Sequence, residues 1–141
     1  VSRENVELHR RFNEAFNAHD LEAFNAFFDP GAEFRSLFAA VGGAVYRGHA
    51  DVPRYFRDLA DAFGDEIRVE PEAYFDLGEK TLAFMVLHAR GRHSAADVAM
   101  RGAQVIAWRA GLLVYWESYA DRHDALRDLG VCEDELQPIA P

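Results

Sequence analysis

The chain is poor in the residues from which most chemical motifs are built. It holds one cysteine, Cys132, among 141 residues. A lone thiol closes no internal disulfide and builds no zinc site, and it fits a reducing, cytoplasmic compartment. Basic residues are outnumbered: 15 Lys+Arg against 24 Asp+Glu leave a formal net charge of −9. Such a domain repels a phosphate backbone, so no nucleic acid partner is expected. No apolar run approaches the ~20 residues needed to cross a bilayer, so no membrane partner is expected. The charged start, VSRENVELHRR, lacks an apolar leader core. The histidines form neither HxH nor HExxH, so no metal and no cofactor are expected. The Gly42-Gly43 pair lacks the Lys-Ser/Thr that completes a phosphate loop.

What the chain does have is apolar residues, 50% of the total. That suffices for one core, expected over residues 1–131, with 132–141 as a loosely held tail. A first helix is predicted from Ser2, its cap, to Ala18, with an apolar face of Leu8, Phe12, Ala15 and Phe16. Asp20 should cap a second helix, with Phe24, Phe27 and Phe28 on its face and Pro30-Gly31 as its stop. A strand is predicted at 32–37, then a Gly-containing connector or lid, FAAVGGAVYRG. Asp51 should cap a third helix carrying Val52, Tyr55, Phe56, Leu59, Ala60 and Phe63, ended by Gly64. The period then changes to two, predicting strands at 67–77, 80–90, 98–109 and 112–121. A last helix, DRHDALRDL, follows Asp121 and closes at Gly130. Helices before a meander predict an α+β fold, with helices on one face of a bent sheet. The last two long strands are apolar on both parities, so the other face is expected to be covered by a second copy, giving a homodimer through the sheet.

Four segments carry a resemblance: ENVELHRRFNEAFNAHDLEAFNAFFDPGAEF, YRGHADVPRYF, RGRHSAADV and WESYADRHDALRDLGV. They resemble the SnoaL-like branch of the nuclear transport factor 2-like superfamily, over nearly the whole chain. The resemblance implies a curved antiparallel or mixed sheet wrapped around helices as a cone, an apolar pocket inside, and dimers through the sheet. It does not imply one function, because isomerases, hydratases, epoxide hydrolases, polyketide cyclases and non-enzymatic binders share the fold. Residue by residue, the catalytic groups of relatives are missing. Where ketosteroid isomerase carries its oxyanion tyrosine, this chain has Phe12, and where it carries its aspartate base, Ser36. Its second oxyanion donor maps to Gln104, whose amide can still donate. The acid–base set of limonene epoxide hydrolase falls on Met85, Leu87 and Ser118, none of which is an acid or a base near neutral pH.

The stretch YWESYADRHDAL at 115–126 gathers Glu117, Asp121, His123 and Asp124. An acid–base site and a capped helix both fit it. Strand parity puts Glu117 opposite Trp116 and Ser118, and Asp121 with Asp124 suits a helix N-terminus better than catalysis. His88 is the strongest catalytic candidate left, although its parity is opposite to Met85 and Leu87. His9 is expected on a solvated helix face. The resulting expectation is a binding domain for a hydrophobic small molecule. Its pocket would be lined by Phe12, Phe16, Phe34, Met85, Leu87 and Trp116, with Ser36, Gln104 and Ser118 as sparse hydrogen-bonding groups and Tyr46 either turning its hydroxyl to the ligand or pinning the loop. An enzyme of the isomerase, hydratase or cyclase kind, drawing on His88 or Asp121, is the alternative. A dimeric interaction module acting through its sheet face is another.

Overall fold

The computed structural model describes residues 3–36, 45–64, 66–90 and 97–141. Ser2, the Gly42-Gly43 pair and His93 lie outside these residues. Helix α1 runs Glu4–Asn17 and α2 Leu21–Asn25, followed by strands β1 Phe28–Arg35 and β2 Val45–Arg47. Helix α3 is Val52–Phe63, entered through a short 3-10 turn at His49–Asp51. Strands β3 Ile67–Leu77, β4 Lys80–Arg90, β5 Asp97–Arg109 and β6 Leu112–Tyr119 follow, and α4 is Arg122–Leu129. The six strands form one sheet in the order β2-β1-β6-β5-β4-β3. All neighbours are antiparallel except β1 and β6, which are parallel. The sheet is therefore mixed, and the fold is α+β.

The first half departs from the periodicity reading at β1. The second helix ends at Asn25, and Phe28 opens a strand paired with Leu113 instead of extending the helix to Pro30. The reason is tertiary. Phe28 is buried against Phe24, Phe34 and Trp116, which an extended backbone reaches. Pro30 and Gly31 sit where the β1–β6 register slips, between Phe28 and Glu33, a place where a strand tolerates proline. Asp20 caps α2 as expected, accepting from the Ala23 N–H at 3.1 Å. Asp51 does not cap α3. Its carboxylate accepts from the Arg47 N–H at 2.8 Å and pairs with Arg54, so it closes the turn before the helix.

Period two assigns the faces. Cross-strand partners share a face, and the pairs Ala83↔Gln104, Met85↔Gly102, Gln104↔Ser118 and Ile106↔Trp116 place these residues together on the concave side. Helices α1, α2 and α3 fill that side, where twenty buried residues from Phe12 to Trp116 form the main core. The helices do not all lie on one face. Helix α4 folds back over the convex side and buries Phe75, Leu82, Phe84, Ala103 and Val105 under Ala125 and Leu126. Part of the two-sided apolarity that suggested a second copy, at Ala103, Val105 and Tyr119, is thus covered by the chain itself. Residues 132–141 include Ile139, which exchanges two backbone hydrogen bonds with Tyr74, at 2.9 and 2.7 Å.

One contact limits how the concave face can be built. A Cβ on Gly102 would lie 2.5 Å from the Tyr119 carbonyl oxygen and 3.2 Å from the Met85 Cε. Backbone cannot yield as a flexible side chain can. Gly102→Ala is expected to destabilise the fold by about 1–3 kcal/mol, read as a lower urea midpoint at an unchanged slope. An unaltered midpoint would contradict this packing.

Candidate functional site

Inside the concave face lies a small hollow. Phe16 of α1, Tyr55 and Leu59 of α3, Ile67 and Val69 of β3, Met85 and Leu87 of β4, Gln104 of β5, and Trp116 and Ser118 of β6 line it. Its volume is 20 Å³, room for about one water. Leu59 and Ile67 also line an outer cleft of 200 Å³ with His19, Leu21, Phe56, Ala60 and Gly64. Ile67 continues into a wider polar cleft of 390 Å³ beside Asn17, His19, Arg68 and His88. Leu59 and Ile67 are thus shared by the hollow and the outer cleft.

The structure brings together Phe16, Met85, Leu87, Gln104, Trp116 and Ser118 of the sequence-derived set. Phe12, Phe34, Ser36 and Tyr46 are buried but do not line the hollow. Phe12 and Phe34 form the aromatic wall behind Trp116, with Phe34 stacked on it at 5.4 Å. Tyr46 stacks on Phe34 and donates its hydroxyl to Asp58 at 2.6 Å, so it pins β2 to α3. Burial and the Asp58 carboxylate push its phenol up to about 12. Tyr55, Leu59, Ile67 and Val69 went unpredicted as lining, although Tyr55 and Leu59 stand on the apolar stripe of α3.

The main correction concerns His9. It is fully buried, not on a solvated face. Its Nδ1 lies 2.8 Å from Thr81 Oγ1 and its Nε2 2.9 Å from Gln104 Oε1. Thr81 Oγ1 also accepts from the Trp108 indole N–H at 2.9 Å. Burial lowers the His9 pKa to about 4, partly opposed by the bond to Gln104, so the ring is neutral near pH 7. The signal lay in the spacing: positions 9, 12, 13 and 16 form one i, i+3, i+4, i+7 stripe, and all four are buried. A polar residue on a buried stripe needs a polar partner, and Thr81 and Gln104 supply it.

The ionisable groups singled out in the sequence face elsewhere. His88 is on the convex side, bonded to Glu70 at 2.7 Å. Glu117 is also convex and takes the Tyr115 hydroxyl at 2.5 Å. Asp121 caps α4, accepting from the His123 N–H at 2.8 Å, and Asp124 pairs with Arg127. The opening of α4 is therefore a helix start, with Asp121 engaged as its cap and Asp124 in an ion pair. Among the described residues no carboxylate, lysine or arginine lines the hollow, and no group of three His, Cys, Asp or Glu is placed to hold a metal. No helix among them is long and apolar enough to cross a membrane.

Residues 9–116 match the family described as the SnoaL-like domain. The chain belongs to this family. A search of curated proteins finds no match. Among solved structures, an NTF2-like protein of unknown function from Burkholderia pseudomallei is similar, with a TM-score of 0.76 and 21% identity over 90% of this chain and 97% of that one. TerC, co-crystallized with polyporic acid, has a TM-score of 0.75 at 17% identity over 89% and 97%. A protein from Shewanella denitrificans named as a SnoaL-like polyketide cyclase has a TM-score of 0.71 at 15% identity over 92% and 98%. At these identities the likeness establishes the NTF2-like fold alone.

The buried imidazole makes stability depend on pH. Between about 4 and the 6.5 of a free imidazole, the unfolded chain holds a proton on His9 that the folded chain does not. The His9 contribution is thus fully present above pH 6.5 and is lost as pH falls through the window, on the order of 3 kcal/mol in all. Urea unfolding of wild type and His9→Phe at pH 7 and pH 4.5 should give a stability difference that shrinks at the lower pH. A difference independent of pH would show that the ring titrates alike in both states.

Proposed function

We propose that this SnoaL-like domain binds a small, neutral, mostly hydrophobic molecule in the hollow and performs no acid–base chemistry on it. The observation that supports this reading is the lining itself. Eight apolar or aromatic side chains surround two neutral hydrogen-bonding ones, Gln104 and Ser118, and among the described residues no charged group joins them. Ligand sites commonly have this make-up: a greasy wall with a few placed polar atoms. The hollow opens for a ligand when Leu59 and Ile67 part toward the outer cleft and the unbranched Met85 shifts. Burying about 200 Å² of ligand would supply about 5 kcal/mol before association costs, consistent with micromolar binding.

An isomerase, hydratase or cyclase reaction would need a base at the hollow. The ionisable ring behind it, His9, is neutral and bonded through both nitrogens, and His88 and Asp121 are engaged elsewhere. A second reading, an interaction module with a residual interior hollow, draws support from the 20 Å³ volume. If two copies associate through the sheet, they would use the convex strip beside α4, and the mass in solution tests that.

One titration separates the two main readings. Addition of 1-indanone, a compact apolar ketone, should shift the backbone amides of Val69, Met85, Gln104 and Ser118 in 1H–15N spectra with micromolar affinity. Leu59→Trp, which plugs the mouth, should weaken binding at least tenfold while the spectrum stays folded. No shift in the wild type, with this ketone or with a panel of phenols and lactones, would discard ligand binding in favour of the interaction module.

A further inference from the structure

We propose that His9 is a positioning residue: held by Thr81 and Trp108, it turns the Gln104 amide so that the hollow offers hydrogen-bond donors, and the site therefore prefers ligands that present a carbonyl-type oxygen. This rests on the small-molecule reading above and names the ligand class.

The direction of the buried chain follows from its end. An indole N–H only donates, so Trp108 must give its hydrogen to Thr81 Oγ1. The Thr81 hydroxyl keeps its own hydrogen for another acceptor, and His9 Nδ1 stands 2.8 Å away. A neutral imidazole carries one hydrogen. With Nδ1 accepting, that hydrogen is on Nε2 and goes to Gln104 Oε1 at 2.9 Å. The carbonyl end of the Gln104 amide is then occupied, and its NH2 end is left over. Reversing the chain is worse. A hydrogen on Nδ1 would fill both lone pairs of Thr81 Oγ1, deprive the Thr81 hydrogen of the ring nitrogen as its acceptor, and force the amide to flip.

The leftover donors have somewhere to go. Gln104 lines the hollow, and no acceptor among the described residues takes its NH2. Tyr55, a buried residue, lines the same space; its hydroxyl is bonded to none of the described residues, and burial pushes its phenol well up, so it keeps its hydrogen. The Trp116 indole N–H, on another lining residue, is also unpartnered. A buried donor without an acceptor is costly, and a ligand oxygen relieves that cost where a hydrocarbon does not. An ionised carboxylate would lose its hydration with no cation to meet it, so a neutral carbonyl suits the space better.

The test compares 1-indanone with indane, which share a ring skeleton and differ by the carbonyl. Wild type is expected to bind 1-indanone about tenfold more tightly, the usual size of one buried neutral hydrogen bond. In His9→Phe and in Thr81→Val, which break the chain at two different points, the preference should fall to about twofold or less while indane affinity stays within about twofold. Gln104→Leu should remove the preference as well. A merely structural role for His9 would weaken both compounds together, and that result, or a tenfold preference surviving in both chain variants, overturns the proposal. Long-range 1H–15N spectra of wild type at pH 7 supply a reading that needs no variant. They should show His9 with its hydrogen on Nε2, and a hydrogen on Nδ1 overturns the proposal. If neither compound binds wild type, the small-molecule reading itself falls, and the tautomer still decides whether the amide is turned as described.

Discussion

The hydrogen bonds of a neutral imidazole hold the molecule's centre together. His9 reaches from the first helix to Thr81 on β4 and Gln104 on β5, which are 72 and 95 residues away in the chain. Aromatic packing surrounds it, with Tyr74 and Phe12 edge-on at 5.1 and 6.2 Å. Apolar burial sets how tightly α1 meets the sheet but is non-directional. The polar chain sets register. Sliding α1 along the sheet would strand two ring nitrogens, a hydroxyl and an amide in a dry interior, each at about 1–3 kcal/mol. Asn17 adds a second pin farther along the helix, exchanging two hydrogen bonds with the Val69 backbone at 2.8 Å.

The same arrangement divides the charge. Because strand side chains alternate, each long strand sends one set of residues inward and the other outward. Among the described residues the inward set of the long strands is apolar or neutral apart from Asp76, which pairs with Thr81 at the end of β3. The outward set holds Glu70 with His88, Glu117 with Tyr115, and Glu72 with Arg122. Arg122 shows how α4 is seated on that outer face: it donates to the carbonyls of Gly102 and Met85 at 3.0 Å and lies over the Phe84 ring. An excess of acids therefore coexists with a hollow that no charged side chain lines among the described residues. What polarity the hollow has comes from fixed dipoles.

The sequence was most legible where one rule acted alone. The bounds of β3 and β4 emerge unchanged from period-two alternation, because both strands are long and a tight turn at Gly78-Glu79 joins them. The phase of β6 was also legible: Trp116 and Ser118 inward, Glu117 outward. Reading failed where a distant partner decided the outcome. Phe28 fits a helical stripe, yet its burial among Phe24, Phe34 and Trp116 draws it into a strand. His9 reads as surface because histidine on a helix usually is. Only a threonine and a glutamine from strands far along the chain make its burial tolerable. Six of the ten candidate pocket residues do line the hollow. Phe12, Phe34 and Tyr46 pack behind its lining and Ser36 is buried outside it, since parity tells which face a residue is on and not how deep it lies.

Depth matters for chemistry as much as for packing. Gln104 sits at the inner end of the hollow's polar path, with its carbonyl tied to a ring that is itself tied to a hydroxyl and an indole. A side chain fixed at one end by such a chain cannot rotate to suit whatever enters. Asparagine or glutamine at an open site offers a donor or an acceptor at equal cost, but this glutamine has lost the choice. In the proposed site, discrimination would be set by unpaired donors, and a mismatch would cost more than a match gains, since an unmet buried group carries its full desolvation penalty. A pocket without charge can still be selective, provided that something behind its wall keeps the amide from turning.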